Sequence, residues 1–139
     1  MAEETDASRA AYQAGRTKLR AGDIEGAISA LEQSVTDYPH FKSLELLGEA
    51  FLRAGKPRRA IVPLAAATTL NDQVCAPSLL AEALLASGDE LDAHRTALLA
   101  LKRDPANSNA RRVCDSTREA DGKAPVGSAN GADETRRLL

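Results

Sequence analysis

Apolar residues of this chain recur at intervals of three and four positions, and the whole pattern repeats with a period of 33 residues. Spacing of three and four places side chains on one face of an α-helix. Leu44, Leu47 and Phe51 follow this spacing and predict a helix from about residue 41 to 54. Each period contains two such stripes joined by a short turn, so the pattern predicts a series of stacked helix pairs.

Four columns of small or turn-forming residues keep the same register. A glycine column after the first stripe predicts the left-handed bend that ends a helix. A column of proline or aspartate predicts the end of the second stripe. Two columns of small residues, one inside each helix, predict that the paired helices approach closely with these residues facing each other. The columns are Gly22, Gly55 and Gly88; Pro39, Asp72 and Pro105; Gly15, Gly48 and Ala81; and Ala27, Ala60 and Ala93.

These columns resemble the tetratricopeptide repeat, whose units are about 34 residues of helix, turn and helix. The turn pairs Gly22-Asp23 and Gly88-Asp89 match the family pattern closely, whereas the aromatic residue usual at the fourth position is replaced. The resemblance implies an all-α fold, a right-handed α-solenoid of tandem helix–turn–helix units. We expect a flexible acidic N-terminus (1–7), three repeats (8–40, 41–73 and 74–106), a capping helix (107–121) and a flexible C-terminal tail (122–139).

The third unit and the capping helix carry their own signals. Pro63 should bend the second helix of the middle unit, and Pro77 fits the first turn of a shortened helix beginning near residue 76. Asn107 or Ser108 is expected to cap the last helix, which has Val113 on its apolar face. An open array needs such an element to cover its final apolar surface.

Composition limits the classes of partner. The net charge of −2 provides no excess of Lys and Arg for phosphate, so we expect no nucleic-acid binding. No apolar stretch approaches the roughly 20 residues of a membrane helix, and membrane insertion is not expected. The first residues are acidic and lack the basic and apolar order of a secretory signal, which favours a cytoplasmic location.

No catalytic or metal-binding pattern is recognisable. The two histidines, His40 at a junction between repeats and His94 on a predicted helix surface, have no partner at metal-ligand spacing. Cys75 and Cys114 are interpreted as small, reduced core residues. We therefore expect neither an enzyme nor a cofactor.

The resemblance also implies a binding surface, because the first helix of each unit lines the concave side of such an array. Arg9, Arg16 and Arg20 predict a basic N-terminal end, and the glutamates of the later units predict an acidic remainder with Leu46 and Leu79 as apolar anchors. An alternative is that these charges only solvate the surface. The groove positions are Arg9, Tyr12, Gln13, Arg16, Lys42, Glu45, Leu46, Glu49, Cys75, Ser78, Leu79 and Glu82.

Three functions are compatible with this surface. The broadest is a protein-interaction module that binds a peptide or helix of another protein and acts as an adaptor or assembly scaffold. The alternatives are a chaperone similar to those of type III secretion, which holds an export client, and a scaffold that self-associates when one end enters the next groove. Family members that grip the carboxylate of heat-shock chaperones use several cations and amides. Only Arg16 among the matching positions is a cation, so the resemblance does not extend to that clamp.

The small-residue columns generate a first prediction. Ala60→Leu should lower the free energy of unfolding by about 1–3 kcal/mol, because a larger side chain would separate two closely packed helices. Chemical denaturation monitored by circular dichroism measures this change. A variant as stable as the wild type would contradict the assignment of this column to the helix interface.

Overall fold

The computed structural model describes residues 3–72 and 75–119, which form seven α-helices and no strand. All the helices predicted within this part of the chain are present, so the all-α expectation is confirmed. The helices are α1 (Asp6–Arg20), α2 (Ile24–Asp37), α3 (Phe41–Arg53), α4 (Pro57–Leu70), α5 (Cys75–Ala86), α6 (Glu90–Arg103) and α7 (Ser108–Ser116).

The helices stack as three hairpins and a terminal cap. α1 packs against α2, α3 against α4, and α5 against α6, while each second helix also packs against the first helix that follows it. The first helices contact one another directly along the stack. They therefore line the inner side of a right-handed α-solenoid, and the second helices form its convex side. α7 packs on both α5 and α6 and covers the end of the array.

The three glycine turns have the same conformation, as predicted. Gly22, Gly55 and Gly88 have φ angles of 86°, 75° and 89°. In each turn the residue after the glycine donates its amide to a carbonyl five residues earlier, at 2.9 Å. This bond closes the last turn of the helix in a left-handed cap that glycine adopts without steric cost.

The second helices begin in two different ways. The Asp23 and Asp89 carboxylates accept hydrogen bonds from backbone amides at the start of α2 and α6. α4 follows Lys56, which makes no side-chain cap, and has Pro57 in its first turn. The helix continues through the buried Pro63 to Leu70.

The structure places the starts of α1 and α5 at Asp6 and Cys75. α1 begins at Asp6 after a cap by Thr5, whose hydroxyl oxygen accepts from the Ser8 amide at 3.0 Å, so the last two residues of the segment 1–7 are helical. α5 has 12 residues against 15 in α1, and Pro77 lies in its first turn, as predicted. The tail at 122–139 lies outside the described residues.

The packing of the small-residue columns differs from the prediction. A Cβ added at Gly15 would lie 2.5 Å from the Leu31 Cγ, and one added at Gly48 would lie 2.3 Å from the Leu64 Cγ. The glycines therefore accommodate a leucine of the partner helix, one turn beyond the alanine column. In the third unit, alanine stands at both equivalent positions, 81 and 97, and both are fully buried. In the first two units, therefore, a larger residue on one helix is matched by a smaller residue on the other.

His94 was expected on a helix surface, and this expectation is wrong. The residue is only 6% exposed, because α7 packs against α6 and covers it. Its Nδ1 lies 2.9 Å from the hydroxyl oxygen of the buried Thr117, which donates to the Val113 carbonyl at 2.7 Å. This hydrogen bond joins the capping helix to the third unit. Asn107, one of the two predicted N-cap residues, caps the start of α7, and Val113 of α7 is buried as expected.

The glycine–leucine contact generates a second prediction. Gly48→Ala should lower the free energy of unfolding by about 1–2 kcal/mol, since overpacking against Leu64 outweighs the better helix propensity of alanine. In a Leu64→Ala background the same substitution should instead stabilise by about 0.5–1 kcal/mol. A double-mutant cycle by urea denaturation measures both effects, and equal effects in the two backgrounds would contradict this contact.

Candidate functional site

The inner side of the array contains a groove formed by three adjacent depressions between the first helices. The N-terminal depression lies between α1 and the α2–α3 junction, the central one reaches from α1 across α3 to the start of α5, and the C-terminal one lies between α3 and α5. Eleven of the twelve residues assigned to the groove from the sequence line these depressions. They are Arg9, Tyr12, Gln13, Arg16, Lys42, Glu45, Leu46, Glu49, Cys75, Leu79 and Glu82.

Ser78, the twelfth residue, lies elsewhere. It is 4% exposed and lies under the start of α7. Its hydroxyl donates to the Asn107 side-chain oxygen at 3.1 Å and accepts from the Asn109 side-chain nitrogen at 2.9 Å. Because the cap covers the first half of α5, Ser78 positions α7 and presents no free polar group to the groove.

Aromatic residues are concentrated in the two depressions nearest the N-terminus. The chain has only two tyrosines and two phenylalanines. Tyr12 and Phe41 line the central depression, and Tyr38 lines the N-terminal one beside the His40 ring. Only Phe51 is buried in the core. Partly exposed aromatic rings offer large contact areas at low entropic cost, and in this chain they lie in the N-terminal half of the groove.

The repeat pattern does not predict Tyr38 or Phe41 as groove residues. It assigns the junction between the first two repeats only to the end of one helix and the start of another. The rarity of aromatic residues was the signal that could have found them, because a core built from alanine and leucine leaves few reasons for rings at a junction. The ring of His40 lies 4.7 Å from that of Phe41, and its Nδ1 caps α3.

The charges along the groove are less divided than expected. Arg9 forms ion pairs with Glu4 at 3.3 Å and Asp6 at 3.1 Å, so its charge is partly neutralised. Arg20 lies at the end of α1 and lines none of the three depressions. The basic side of the central depression is instead formed by Arg16 and Lys42.

The acidic side is also partly neutralised. Glu49 pairs with Arg53 at 2.8 Å, and Glu82 pairs with Arg112 of the capping helix at 3.4 Å. Among the groove glutamates in the described part of the chain, only Glu45 has no ion pair within 4 Å. The C-terminal depression is therefore lined by charged residues that form ion pairs around Leu79. The central depression holds Glu45, which forms none.

Glu45 and Cys75 interact across the central depression. Burial raises the pKa of Glu45, the nearby Glu49 adds to this shift, and a hydrogen bond from the Cys75 thiol opposes it. Burial and the Glu45 carboxylate raise the pKa of Cys75 to about 12. Cys75 is exposed at the start of α5, which corrects its interpretation as a core residue, and its thiol remains protonated at neutral pH.

The raised pKa of Glu45 has a defined effect on stability. The folded state favours the protonated carboxyl more than the unfolded chain does. This group therefore contributes most to the free energy of unfolding at pH values below its ordinary pKa. Its contribution falls as the pH rises and the carboxyl ionises in the folded protein. Burial therefore penalises the ionised Glu45 carboxylate, and a neighbouring positive charge would offset that penalty.

Within residues 3–72 and 75–119, no group of three histidine, cysteine or acidic side chains could hold a metal ion. None of the helices in these ranges has the length and apolar character of a membrane span.

The fold is shared with solved tetratricopeptide repeat domains. The first such domain of Spaghetti (RPAP3), bound to the HSP90 peptide SRMEEVD, has a TM-score of 0.80 and 18% identity over 88% of this chain and 98% of its own. The Sgt2 domain from Aspergillus fumigatus has a TM-score of 0.74 and 18% identity over 89% and 85% of the two chains. MamA AMB-1 has a TM-score of 0.75 and 20% identity over 93% and 72%.

No protein-family model and no curated protein sequence matches the chain. The structural likeness is nevertheless close over most of its length, and it agrees with the repeat columns and the glycine turns. The chain has the fold of a tetratricopeptide repeat domain, and the predicted right-handed α-solenoid is confirmed.

The Glu45–Cys75 contact generates a third prediction. With its pKa near 12, Cys75 should react with iodoacetamide at pH 8 at least about tenfold more slowly than free cysteine, since the thiolate is the nucleophile. Glu45→Gln should raise this rate about threefold or more by removing the neighbouring negative charge. The rates are measured by mass spectrometry in a Cys114→Ser background.

Glu82→Gln is the matched control for this experiment. It removes another groove carboxylate, but one that makes no contribution to the Cys75 shift. The contact would be refuted by equal alkylation rates in the wild type and the Glu45→Gln variant.

Proposed function

We propose that this protein is a protein-interaction module that binds a peptide or helix of a partner protein in the groove. The observation that carries the proposal is the placement of three of the four aromatic residues of the chain along the two N-terminal depressions. In a chain whose core consists mainly of alanine and leucine, rings at a concave surface are available for recognition. The tetratricopeptide repeat domains of similar fold include two that are bound to peptides.

The residues that line the central depression indicate which side chains the partner segment carries. Tyr12, Phe41 and Leu46 offer an apolar seat, and Arg16 and Lys42 lie beside it. We infer that the partner segment places an apolar side chain against this seat and an acidic side chain near the two cations. A basic group on the opposite side of the same segment would meet Glu45.

The ligand differs from the chaperone peptides bound by similar domains. The residues at the positions of the carboxylate clamp are Tyr12, Arg16, Leu46, Cys75 and Leu79, and only one of these is a cation. Lys42 adds a second cation to the central depression. The two remain too few to replace a clamp built from several cations and amides, so a peptide such as SRMEEVD should bind weakly. The proposal includes an adaptor or assembly role, in which the module joins partner proteins through this groove.

Selection from a random-peptide display library tests the proposal. We expect recovered peptides to combine an apolar residue with a nearby acidic one. Arg16→Glu should weaken their binding by about tenfold or more, a loss of about 1.4 kcal/mol, since it replaces the attracting charge with a repelling one. Fluorescence anisotropy of labelled peptides measures the dissociation constants, with SRMEEVD as a comparison ligand.

Arg20→Glu is the matched control, because it makes the same change of charge one helical turn away and outside the groove lining. It should leave peptide affinity within about twofold, as expected of an exposed charge beyond direct contact. The proposal fails if no peptide is recovered, or if recovered peptides bind Arg16→Glu as tightly as the wild type.

A further inference from the structure

The charged residues and leucines that follow the described helices are concentrated in one short segment. Residues 133–139 contain four of the six charged residues that come after Glu119 in the sequence, and both of the leucines. They are called the tail segment. In chain order the segment is acidic (Asp133, Glu134), then basic (Arg136, Arg137), then apolar (Leu138, Leu139).

The groove presents the complementary order along α3. Arg16 and Lys42 line the central depression near the start of α3, and within the described residues neither forms an ion pair within 4 Å. Glu45 follows one turn later and is also without an ion pair in this part of the chain. The C-terminal depression then presents Leu52 and Leu79. The lining is therefore basic, then acidic, then apolar.

The tail segment can present these three chemical types on one side. In an extended chain every second side chain points the same way, and such side chains lie about 6.6 Å apart. Glu134, Arg136 and Leu138 are related in this way. One face of the extended segment would therefore carry an acidic, a basic and an apolar group over about 13 Å.

The matching groups of the groove extend over a similar distance. Lys42 and Glu45 are three residues apart on α3, about 4.5 Å along the helix axis. The Cys75 thiol makes a hydrogen bond with Glu45, and Leu79 lies four residues, about 6 Å, farther along α5. The three groups therefore cover about 10 Å, and the long side chains of glutamate and arginine can accommodate the difference of about 3 Å.

The connection between α7 and the tail segment is long enough to reach any part of the groove. Residues 120–132 can span up to about 45 Å when extended. This span exceeds the length of α1, about 22 Å, and the distance of about 20 Å across three neighbouring helices. Arg112 of α7 lies 3.4 Å from Glu82 in the lining of the C-terminal depression, so the connection begins beside the groove.

We propose that the tail segment binds in the groove of its own chain, an inference that rests on the proposed function of that groove. Glu134 faces Arg16 and Lys42, the two cations of the central depression without an ion pair in the described part of the chain. These charges fix which end of the segment lies at the start of α3.

The basic and apolar parts of the segment occupy the rest of the groove. Arg136 lies beside Glu45, where a positive charge offsets the burial of the carboxylate. Leu138 packs against Leu79, in the depression whose own charges are already paired. The segment thus supplies an opposite charge to the groove groups that lack one and an apolar side chain to the depression that needs no further charge.

This contact would regulate access to the groove. A connection of this length gives an effective concentration of about 1 mM, so a segment with a dissociation constant of about 0.1 mM would be bound about ten times as often as free. A partner peptide would then bind about tenfold more weakly than to an empty groove. The tail segment brings no apolar side chain to Tyr12 and Phe41, and a partner that does so can displace it.

Paramagnetic relaxation measured by NMR tests the contact in the full chain. A nitroxide is attached at Thr135→Cys in a Cys75→Ser, Cys114→Ser background. Amide signals near Glu45 and Leu79 should broaden at least about threefold more than that of Leu98 on the second helix of the third hairpin. Circular dichroism establishes that each variant is folded.

A mixed sample identifies which copy supplies the segment. Spin-labelled protein without ¹⁵N is mixed with ¹⁵N protein without a spin label. We expect no selective broadening in the mixture, because the segment binds within its own chain. Equal groove broadening in the mixture would mean that the segment enters a second copy, and this result overturns the proposal.

Charge substitutions test the geometry. Arg136→Glu should reduce the groove broadening at least about threefold, because it places two carboxylates together, and adding Glu45→Arg should restore most of it. Lys123→Glu is the matched control, since it makes the same change of charge in the connection, outside the tail segment. It should leave the broadening unchanged. The proposal is overturned if the groove signals are not selectively broadened, or if Arg136→Glu behaves like Lys123→Glu.

Peptide binding separates this proposal from the proposed function. Peptides recovered by display should bind Arg136→Glu about fivefold more tightly than the wild type, because the tail segment competes less. Equal affinities for the two proteins would overturn the tail contact and leave the binding function intact. Selective groove broadening without recovery of any peptide would contradict the binding function and support the tail contact.

Discussion

The close approach of the two helices in each hairpin is the constraint on which the rest of the structure depends. In the first two units a leucine of the second helix fills the space that a glycine leaves on the first, and only a residue without a side chain permits this contact. The small residue inside the helix costs about 0.5–1 kcal/mol of helix propensity, and the buried leucine offsets that cost. Because the hairpins are alike, they stack in one register. Their first helices then lie side by side and leave a continuous groove.

The third unit and its cap show how the array ends. Alanine stands at both positions 81 and 97 of the third hairpin, and α7 packs on α5 and α6. The cap is held by buried polar contacts as well as by apolar packing, through His94 to Thr117 and through Ser78 to the start of α7. Because these groups are satisfied only when α7 is in place, the contacts define one position for the cap.

The two sides of the solenoid differ in chemistry because they are built from different helices. First helices contribute aromatic rings and partly buried charges to the groove. Second helices contribute exposed aliphatic residues, Val62 on α4 and Leu98 and Leu99 on α6. Substitutions on one side can therefore be compared with matched substitutions on the other.

The amino-acid sequence by itself determined the helices, the three glycine turns and the shortened α5. These features depend on interactions within a few residues, such as a cap, a left-handed glycine or an apolar stripe, and the 33-residue period repeats them. The tertiary structure decided the burial of His94 and Ser78, the leucine partners of Gly15 and Gly48, and the arginine partners of Glu49 and Glu82. Most of these features depend on contacts between different helices, and the sequence pattern does not give the distances between the residues concerned. Glu49 and Arg53 lie one turn apart on α3, but only the side-chain positions show that they form an ion pair.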